Sequence, residues 1–168
     1  GGHGTQYGFA IDTINKVEDI KPWVQKRKQG GSDYIKLVYM PYQPVLPSLD
    51  KVLASEIIKE GHAQGFKVYA HISTQAAAKD MIEAGVDGLV HIFADSVASD
   101  ALVSLAAKNQ ILIIPTLAVI ASVDGRGLHN AFAELPDVEP FLSAQQKSTL
   151  NASFGIDIPG YDFDIAKQ

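Results

Sequence analysis

Three segments of the sequence that are predicted to be β-strands each carry one side chain able to bind a metal ion or take part in catalysis. They are Lys36 in YIKLVY, His71 in VYAHIS and His91 in GLVHIF. Each residue comes at the middle or the carboxyl end of its strand, which is where functional groups collect in parallel sheets. A single histidine in a strand is usually an ordinary hydrogen-bonded residue, but three polar residues at matching positions of successive βα units are harder to explain in this way, so a shared site is one of two open interpretations.

The neighbours of Lys36 are apolar or aromatic, and DYIKLVYM is predicted to be a buried strand. A buried ammonium without a partner costs much free energy, so a lysine here needs an explanation. Alternation along a strand predicts which residues share a face, and it allows all three polar residues to point into one barrel mouth. The predicted groups are Lys36 with Tyr34 and Val38, His71 with Tyr69, and His91 with Leu89.

Strand-like segments alternate with helix-like segments along the chain. The predicted strands are DYIKLVYM, FKVYAHI, VDGLVHIF and ILIIPTLAVI, the last being the most apolar. The segments between them have helical periodicity and are SLDKVLASEIIKEGHAQG, TQAAAKDMIEAG and SDALVSLAAKNQ. Ser48 is predicted to cap the first of these helices, and Gly65 and Gly85 are predicted to end the first and second.

This alternation predicts βαβ units, a parallel sheet and an α/β fold. A leading helix is predicted in NKVEDIKPWVQKRKQGG, with Trp23 and Val24 on its apolar side, and another in LSAQQKSTLNASF. The segment SVDGRGLHN and the tail after it are predicted to be irregular. Two architectures remain open, a small doubly wound sheet and half of a (β/α)₈ barrel, because a complete barrel needs about 250 residues.

Composition excludes several classes of protein. With 168 residues, of which 46 % are hydrophobic and 20 % are charged, the chain is predicted to form a packed core. The net charge of −5 argues against nucleic acid as a partner, and the absence of cysteine excludes thiolate metal sites. The sequence has no apolar run long enough to span a membrane and no Gly-x-Ser-x-Gly elbow of a serine hydrolase.

Other polar residues are weaker candidates. His62 near a helix end is predicted to be a surface residue, and His129 lies in a predicted loop. His3 belongs to GGHG, which lacks the spacing of a phosphate-binding motif. Asp124 and Arg126 follow the last predicted strand, where either substrate contacts or solvated charges are found. The beginning GGHGTQYG has no methionine, so we expect a processed or excerpted chain.

Several segments in order resemble the metal-dependent amidohydrolase superfamily, on its imidazolonepropionase-like and prolidase-like branch. They are GSDYIKLVY, GFKVYAHISTQAAAKDMIEAGVDGLVHIF and ILIIPTLAVI, preceded by GGHGTQYG. The resemblance runs from Gly1 to about Ser122. It implies a partial (β/α)₈ TIM barrel containing about strands four to seven with their helices. Residues 1–168 would then be the central portion of one catalytic domain.

The resemblance also implies a metal site. Lys36 matches a lysine of the fourth strand that is carboxylated on its side-chain nitrogen, and His71 and His91 match metal ligands of the fifth and sixth strands. The implied cofactor is a divalent cation such as zinc, as one ion or two. The implied reaction is hydrolysis of a C–N bond in a small amide, cyclic amide or dipeptide by a metal-activated water.

The chain departs from this family at both ends. It has no His-x-His pair, and Asp157, Asp162 and Asp164 do not lie in a context like the eighth strand, which carries the general base in the family. No catalytic base is therefore assigned, and the chain alone is expected to be inactive. A half barrel would expose apolar residues around Ile113 and Ile114, which predicts self-association or pairing with the missing half.

Two other functions remain open from the residues. The chain could be a non-catalytic α/β binding module in which Lys36 is structural. It could also belong to a different barrel enzyme, in which Lys36 forms a Schiff base with a carbonyl substrate.

Overall fold

The structure is a computed structural model that describes residues 12–41, 47–123, 133–151 and 162–166. None of the helices in these ranges is long and apolar enough to cross a membrane. Short 3₁₀ helices lie at Val17–Asp19 and Glu139–Phe141. The other elements, in chain order, are α1 (Ile20–Gln29), β1 (Tyr34–Val38), α2 (Lys51–Ala63), β2 (Lys67–His71), α3 (Gln75–Glu83), β3 (Gly88–Val90), α4 (Asp100–Lys108), β4 (Leu112–Ile114), α5 (Leu117–Val123), α6 (Ala144–Asn151) and α7 (Phe163–Ala166).

The four strands form one parallel sheet in which their spatial order equals their order in the chain. A helix connects each strand to the next, so the predicted βαβ units are confirmed. The register pairs Lys36 with Tyr69, Tyr69 with Gly88, and Gly88 with Leu112. Because paired residues of neighbouring parallel strands point to the same side, each such row of residues lies on one face of the sheet.

The two faces of the sheet have different environments. In β1, Ile35 and Leu37 are buried while Tyr34 and Lys36 are exposed. The buried strand residues pack in one core with apolar residues of α1 to α4. These helices therefore cover the face of Ile35 and Leu37. A doubly wound sheet has helices on both faces, whereas this one-sided arrangement is compatible with a partial barrel.

Capping residues determine where the helices between the strands begin. The Asp50 side chain accepts a hydrogen bond from the Leu53 N–H at 2.8 Å, so it is the N-cap of α2. The prediction that Ser48 caps this helix was wrong. Ser48 lies two residues too early, and its hydroxyl accepts a hydrogen bond from the Met40 N–H at 2.7 Å instead. Gly65 and Gly85 follow α2 and α3 with φ of 87° and 89°, which confirms them as helix ends.

The most apolar segment, ILIIPTLAVI, is not one strand as predicted. Leu112–Ile114 is β4, and a helix begins at Leu117 after Pro115 and Thr116. Apolar runs do not distinguish a strand from a helix by periodicity, and Pro115 has no N–H to continue the ladder. The predicted exposure around Ile113 and Ile114 is confirmed, since 43 % and 41 % of these residues is accessible.

A charged cluster joins the strands at their amino ends. Asp87, which precedes β3, accepts hydrogen bonds from Lys67 Nζ, the Val68 N–H and His62 Nε2 at 2.7, 2.8 and 2.7 Å. The Asp87 N–H donates to the Val68 carbonyl, and its carbonyl accepts from the Leu112 N–H. Partial burial acts to raise the pKa of Asp87, but the hydrogen bonds outweigh it and lower this pKa below its ordinary value of 3.8.

We expect the substitution Asp87→Asn to lower the free energy of unfolding by about 1–2 kcal/mol at pH 7, because it removes charge-assisted hydrogen bonds. A carboxylate with a lowered pKa stabilises the folded state above its unfolded pKa. This contribution should be lost as the pH falls through the folded pKa, below about pH 4. Urea unfolding at several pH values measures both effects.

The substitution Asp33→Asn is the matched control, because Asp33 is exposed before β1 and its removal should change stability by less than about 0.5 kcal/mol. Equal stability of Asp87→Asn and the unsubstituted chain at pH 7 would contradict the role given to this cluster.

Candidate functional site

Lys36 is not buried in the core, contrary to the prediction for its strand. Its side chain is exposed on the face of the sheet opposite to α1 to α4, together with Tyr34 and half-buried Val38. We call this side of the sheet the open face. None of the described residues buries the Lys36 ammonium, so its charge carries no desolvation cost there. The predicted grouping of Lys36 with Tyr34 and Val38 is confirmed.

His71 lies on the open face at the carboxyl end of β2. In the register it is paired with Val38 and Val90. Since Val38 lies two residues after Lys36 on the same face of β1, His71 is diagonally across from Lys36 on the neighbouring strand. Strand spacing and rise place the Cα atoms of Lys36 and His71 roughly 8 Å apart along this diagonal. His71 is only 9 % exposed.

His91 follows β3, and its ring lies against the ring of His71. The ring centroids are 4.5 Å apart and the planes are inclined by 73°. Strict alternation would place His91 with Leu89, which faces the helices and is 4 % exposed. This predicted grouping was wrong because His91 has a φ of 69°, which ends the extended conformation and breaks the alternation. The backbone turn thus brings the two histidines together.

The position of His91 is fixed by the strand beside it. Its N–H donates to the Ile114 carbonyl at 2.8 Å, and its Nδ1 lies 2.6 Å from Thr116 Oγ1. Thr116 also has a positive φ, 49°, which is unusual for a β-branched residue. Each such conformation costs about 1–3 kcal/mol and persists only where the surroundings enforce it. Sequence reasoning missed Thr116, although its place directly after an apolar strand and Pro115 offered an indication.

A second network fixes the carboxyl ends of β1 and β2. The Tyr39 N–H donates to the His71 carbonyl at 3.0 Å, which extends the pairing of the two strands. The Tyr39 hydroxyl donates to buried Asp80 at 2.8 Å, and Lys51 Nζ donates to the other Asp80 oxygen at 2.6 Å. The hydrogen bond with Asp80 is the largest cause that raises the pKa of Lys51. The carboxyl end of β1, next to His71, is therefore connected by hydrogen bonds to α2 and α3.

The loop after His91 is held by the beginning of α3. The Gln75 side chain donates to Ser96 Oγ at 2.6 Å and accepts from the Ser99 N–H at 2.7 Å. Asp95 accepts a hydrogen bond from the Gln75 N–H at 2.9 Å. These hydrogen bonds fix the path of the chain between His91 and α4 against the beginning of α3.

Two other polar residues lie close to these elements in the chain. Ser73, two residues after His71, is 7 % exposed, and its hydroxyl has no hydrogen-bond partner among the described residues. His62 is exposed at the end of α2 and contacts Asp87 at the opposite end of the sheet, so its prediction as a surface residue is confirmed. A cavity of about 370 Å³ also lies at that opposite end, where Lys67 and Asp87 of its lining pair with each other.

Several predicted candidates fall outside the described residues, namely His3, Asp124, Arg126, His129 and Asp157. The two remaining aspartates of the tail lie in the short segment 162–166. This segment is the helix α7 with the residue before it, and not a strand, and the Asp162 N–H donates to the Ala94 carbonyl at 3.0 Å. The base of the eighth strand is accordingly not assigned to Asp162 or Asp164.

The described residues contain no cluster of three or more His, Asp or Glu side chains that could hold a metal ion. They do bring two imidazoles together, and imidazole nitrogen is a preferred ligand of zinc. Lys36 on the same face can become an anionic oxygen ligand only if its nitrogen is carboxylated. The arrangement therefore fits a metal in part, with two nitrogen donors and one convertible side chain.

No family model and no curated protein matches this sequence. Solved structures match it, among them a Xaa-Pro dipeptidase with methionine bound in the active site, at 19 % identity and a TM-score of 0.59. An amidohydrolase matches at 20 % identity and a TM-score of 0.58, and the ochratoxinase of A. niger at 18 % and 0.58. The chain shares the fold of part of these enzymes.

The alignments cover most of this chain but only a minor part of each matched structure. The alignments cover 92 %, 86 % and 84 % of this chain, but only 39 %, 33 % and 30 % of the dipeptidase, the amidohydrolase and the ochratoxinase. The chain thus spans about a third of the length of the structures it matches. At the level of the fold, the resemblance to amidohydrolases and prolidases is confirmed.

Proposed function

We propose that residues 1–168 are the central part, about strands four to seven, of the (β/α)₈ catalytic domain of a metal-dependent hydrolase that cleaves C–N bonds. The observation that carries this proposal is the contact between the rings of His71 and His91 on the open face that also holds Lys36. His71 and His91 meet at the carboxyl end of the sheet, which is the catalytic end of such barrels, and Lys36 lies on the same face in the middle of β1.

The proposed substrate class is drawn from proteins with the same fold. They include a Xaa-Pro dipeptidase, an amidohydrolase, and a prolidase in complex with N-methylphosphonate-L-proline. We infer that the parent protein of this chain acts on a small amide, cyclic amide or dipeptide. The fold alone does not choose among these, since each relative is at most 20 % identical to this chain.

The proposed ligands are His71, His91 and Lys36, the last as a carbamate on its Nζ. The cofactor is a divalent cation, with zinc as the first choice, as one ion or two. When bound, such a metal lowers the pKa of a coordinated water and polarises the carbonyl that is attacked. The chain itself contributes the orientation of both imidazoles, through the strand ends and through the turn at His91.

Lys36 also bears on the Schiff-base alternative. A lysine that forms a Schiff base is usually activated by desolvation, and Lys36 is exposed among the described residues. No observation favours that reaction, or a purely structural role for Lys36, over the metal site.

The isolated chain is expected to be inactive even with zinc. A barrel of this kind needs further ligands and a base from strands that this sequence does not match, since it has no His-x-His pair. Incubation of the zinc-loaded chain with an Xaa-Pro dipeptide and an N-acyl amino acid should give no turnover above buffer. Turnover that His71→Ala abolishes would contradict the inferred incompleteness.

Zinc titration of the purified chain tests the metal site. A structural zinc site is worth about 10–16 kcal/mol over four ligands, so each ligand contributes enough that its loss should weaken binding about 100-fold or more. We expect this loss in His71→Ala and in His91→Ala. His62→Ala is the matched control, because His62 lies at the opposite end of the sheet, and it should bind zinc like the unsubstituted chain.

The same titration separates the carbamate from an ammonium at position 36. Lys36→Arg keeps the positive charge but cannot be carboxylated. In bicarbonate buffer this variant should bind zinc less tightly than the unsubstituted chain, and in carbon dioxide-free buffer the two should be alike. Equal affinities in both buffers would remove Lys36 from the ligand set, and zinc binding unaffected by both histidine variants would contradict the proposed site.

We further propose that the open face pairs with the missing part of a barrel, or with a second copy when that part is absent. Among the described residues, β1 and β4 are each paired on one side only, and Leu112 of the open face is 51 % exposed. Unpaired edges and apolar surface favour association. The chain should sediment as a dimer or larger species.

The variant Leu112→Lys should shift the sedimenting species toward monomer, because it places a charge on the open face. Val103→Lys is the matched control, since Val103 is 54 % exposed on α4, on the helical side. A stable monomer of the unsubstituted chain across the concentration range would contradict the pairing.

A further inference from the structure

We propose that Thr116 is a positioning residue for His91. Its hydroxyl oxygen accepts a hydrogen bond from Nδ1–H of His91, which favours the tautomer with the proton on Nδ1 and the lone pair on Nε2. The observation is the 2.6 Å distance between Nδ1 and Thr116 Oγ1. The contact between Nδ1 and the hydroxyl stands without the proposed function, whereas the placing of the proton on Nδ1 and the use of Nε2 by a metal rest on it.

The chemistry of metal ligands supports this assignment. A histidine that binds a metal through one nitrogen usually donates its other N–H to a fixed acceptor, which sets the tautomer and the orientation of the ring. A hydroxyl can accept such a bond, since it has two acceptor lone pairs as well as its own proton. Thr116 lies between β4 and α5, so the ring of His91 is held by a segment other than the loop that follows β3.

The backbone conformations of the two residues point the same way. Three non-glycine residues in the described part of the chain have positive φ, namely His91, Gln110 and Thr116. Gln110 follows Asn109, the C-cap residue of α4, and such a conformation is common at this position. His91 and Thr116 instead follow neighbouring strands, and their side chains contact each other. The two unusual turns therefore bring the ring and the hydroxyl together.

The backbone of Thr116 is held independently of its hydroxyl. Its carbonyl accepts hydrogen bonds from the N–H groups of Val119 and Ile120 at 3.0 and 3.3 Å, at the beginning of α5. Ile120 is 4 % exposed in a small cluster with Ala94 and Ala166. A substitution that removes only the hydroxyl should therefore leave α5 in place.

The test compares Thr116→Val, which has the same shape and branching without the hydroxyl, with Thr116→Ser, which keeps it. Nitrogen-15 NMR of the metal-free chain at about pH 8, where histidine is mostly neutral, gives the tautomer of His91. We expect Nδ1–H in the unsubstituted chain and in Thr116→Ser. In Thr116→Val we expect a shift toward Nε2–H, the form that a free imidazole favours in water. The far-UV circular dichroism of this variant should be unchanged, because the backbone carbonyl at position 116 still accepts the hydrogen bonds at the beginning of α5.

Zinc affinity is the second measurement. Loss of a group that orients a ligand weakens metal binding about 10–100-fold, so Thr116→Val should show this loss and Thr116→Ser should not. Nδ1–H retained in Thr116→Val, or zinc affinity of that variant within about twofold of the unsubstituted chain, would overturn the positioning role. If the unsubstituted chain binds no zinc, the proposed metal site fails, and the tautomer measurement alone decides the role of Thr116.

Discussion

The in-register pairing of four parallel strands, with α1 to α4 packed on one face, is the constraint on which the site depends. Parallel pairing aligns the carboxyl ends of the strands, and the helical cover commits one set of alternating side chains to the core. The other set then has to lie on the open face. Lys36 and His71 belong to that set, so their common side follows from the burial of Ile35, Leu37 and Ala70.

At the carboxyl end of β3, a change in backbone conformation brings His91 to the open face. A regular continuation of β3 would direct His91 toward the helices, and its positive φ returns the ring to His71. Hydrogen bonds of His91 with the Ile114 carbonyl at the end of β4 and with the Thr116 side chain just after it hold this conformation. The amino ends are regular and charged, with Asp87 joining β2, β3 and β4. The amino end of the sheet therefore carries a charged cluster that favours stability, while the positive φ values of His91 and Thr116 lie at the carboxyl end.

Sequence patterns were sufficient for the parts of the fold that local rules govern. The βα alternation and the glycines at helix ends are confirmed because periodicity and turn chemistry are local. The exposure near Ile114, also confirmed, was predicted instead from the resemblance to half of a barrel. The patterns failed where a decision depended on tertiary packing. The apolar residues around Lys36 predicted burial of the strand, but the packing of α1 to α4 decides which of its two faces is buried. The turn at His91 and the contact with Thr116 join segments 25 residues apart, and no local pattern encodes them.

The central claim is that His71 and His91 are two ligands of one metal ion. X-ray absorption at the zinc edge of the chain loaded with one equivalent of zinc measures this most directly. The account predicts nitrogen and oxygen ligands at about 2.0–2.1 Å with the outer-shell scattering of two imidazoles, reduced to that of one imidazole in His71→Ala. A spectrum of oxygen ligands without imidazole scattering, or one that His71→Ala leaves unchanged, would contradict it.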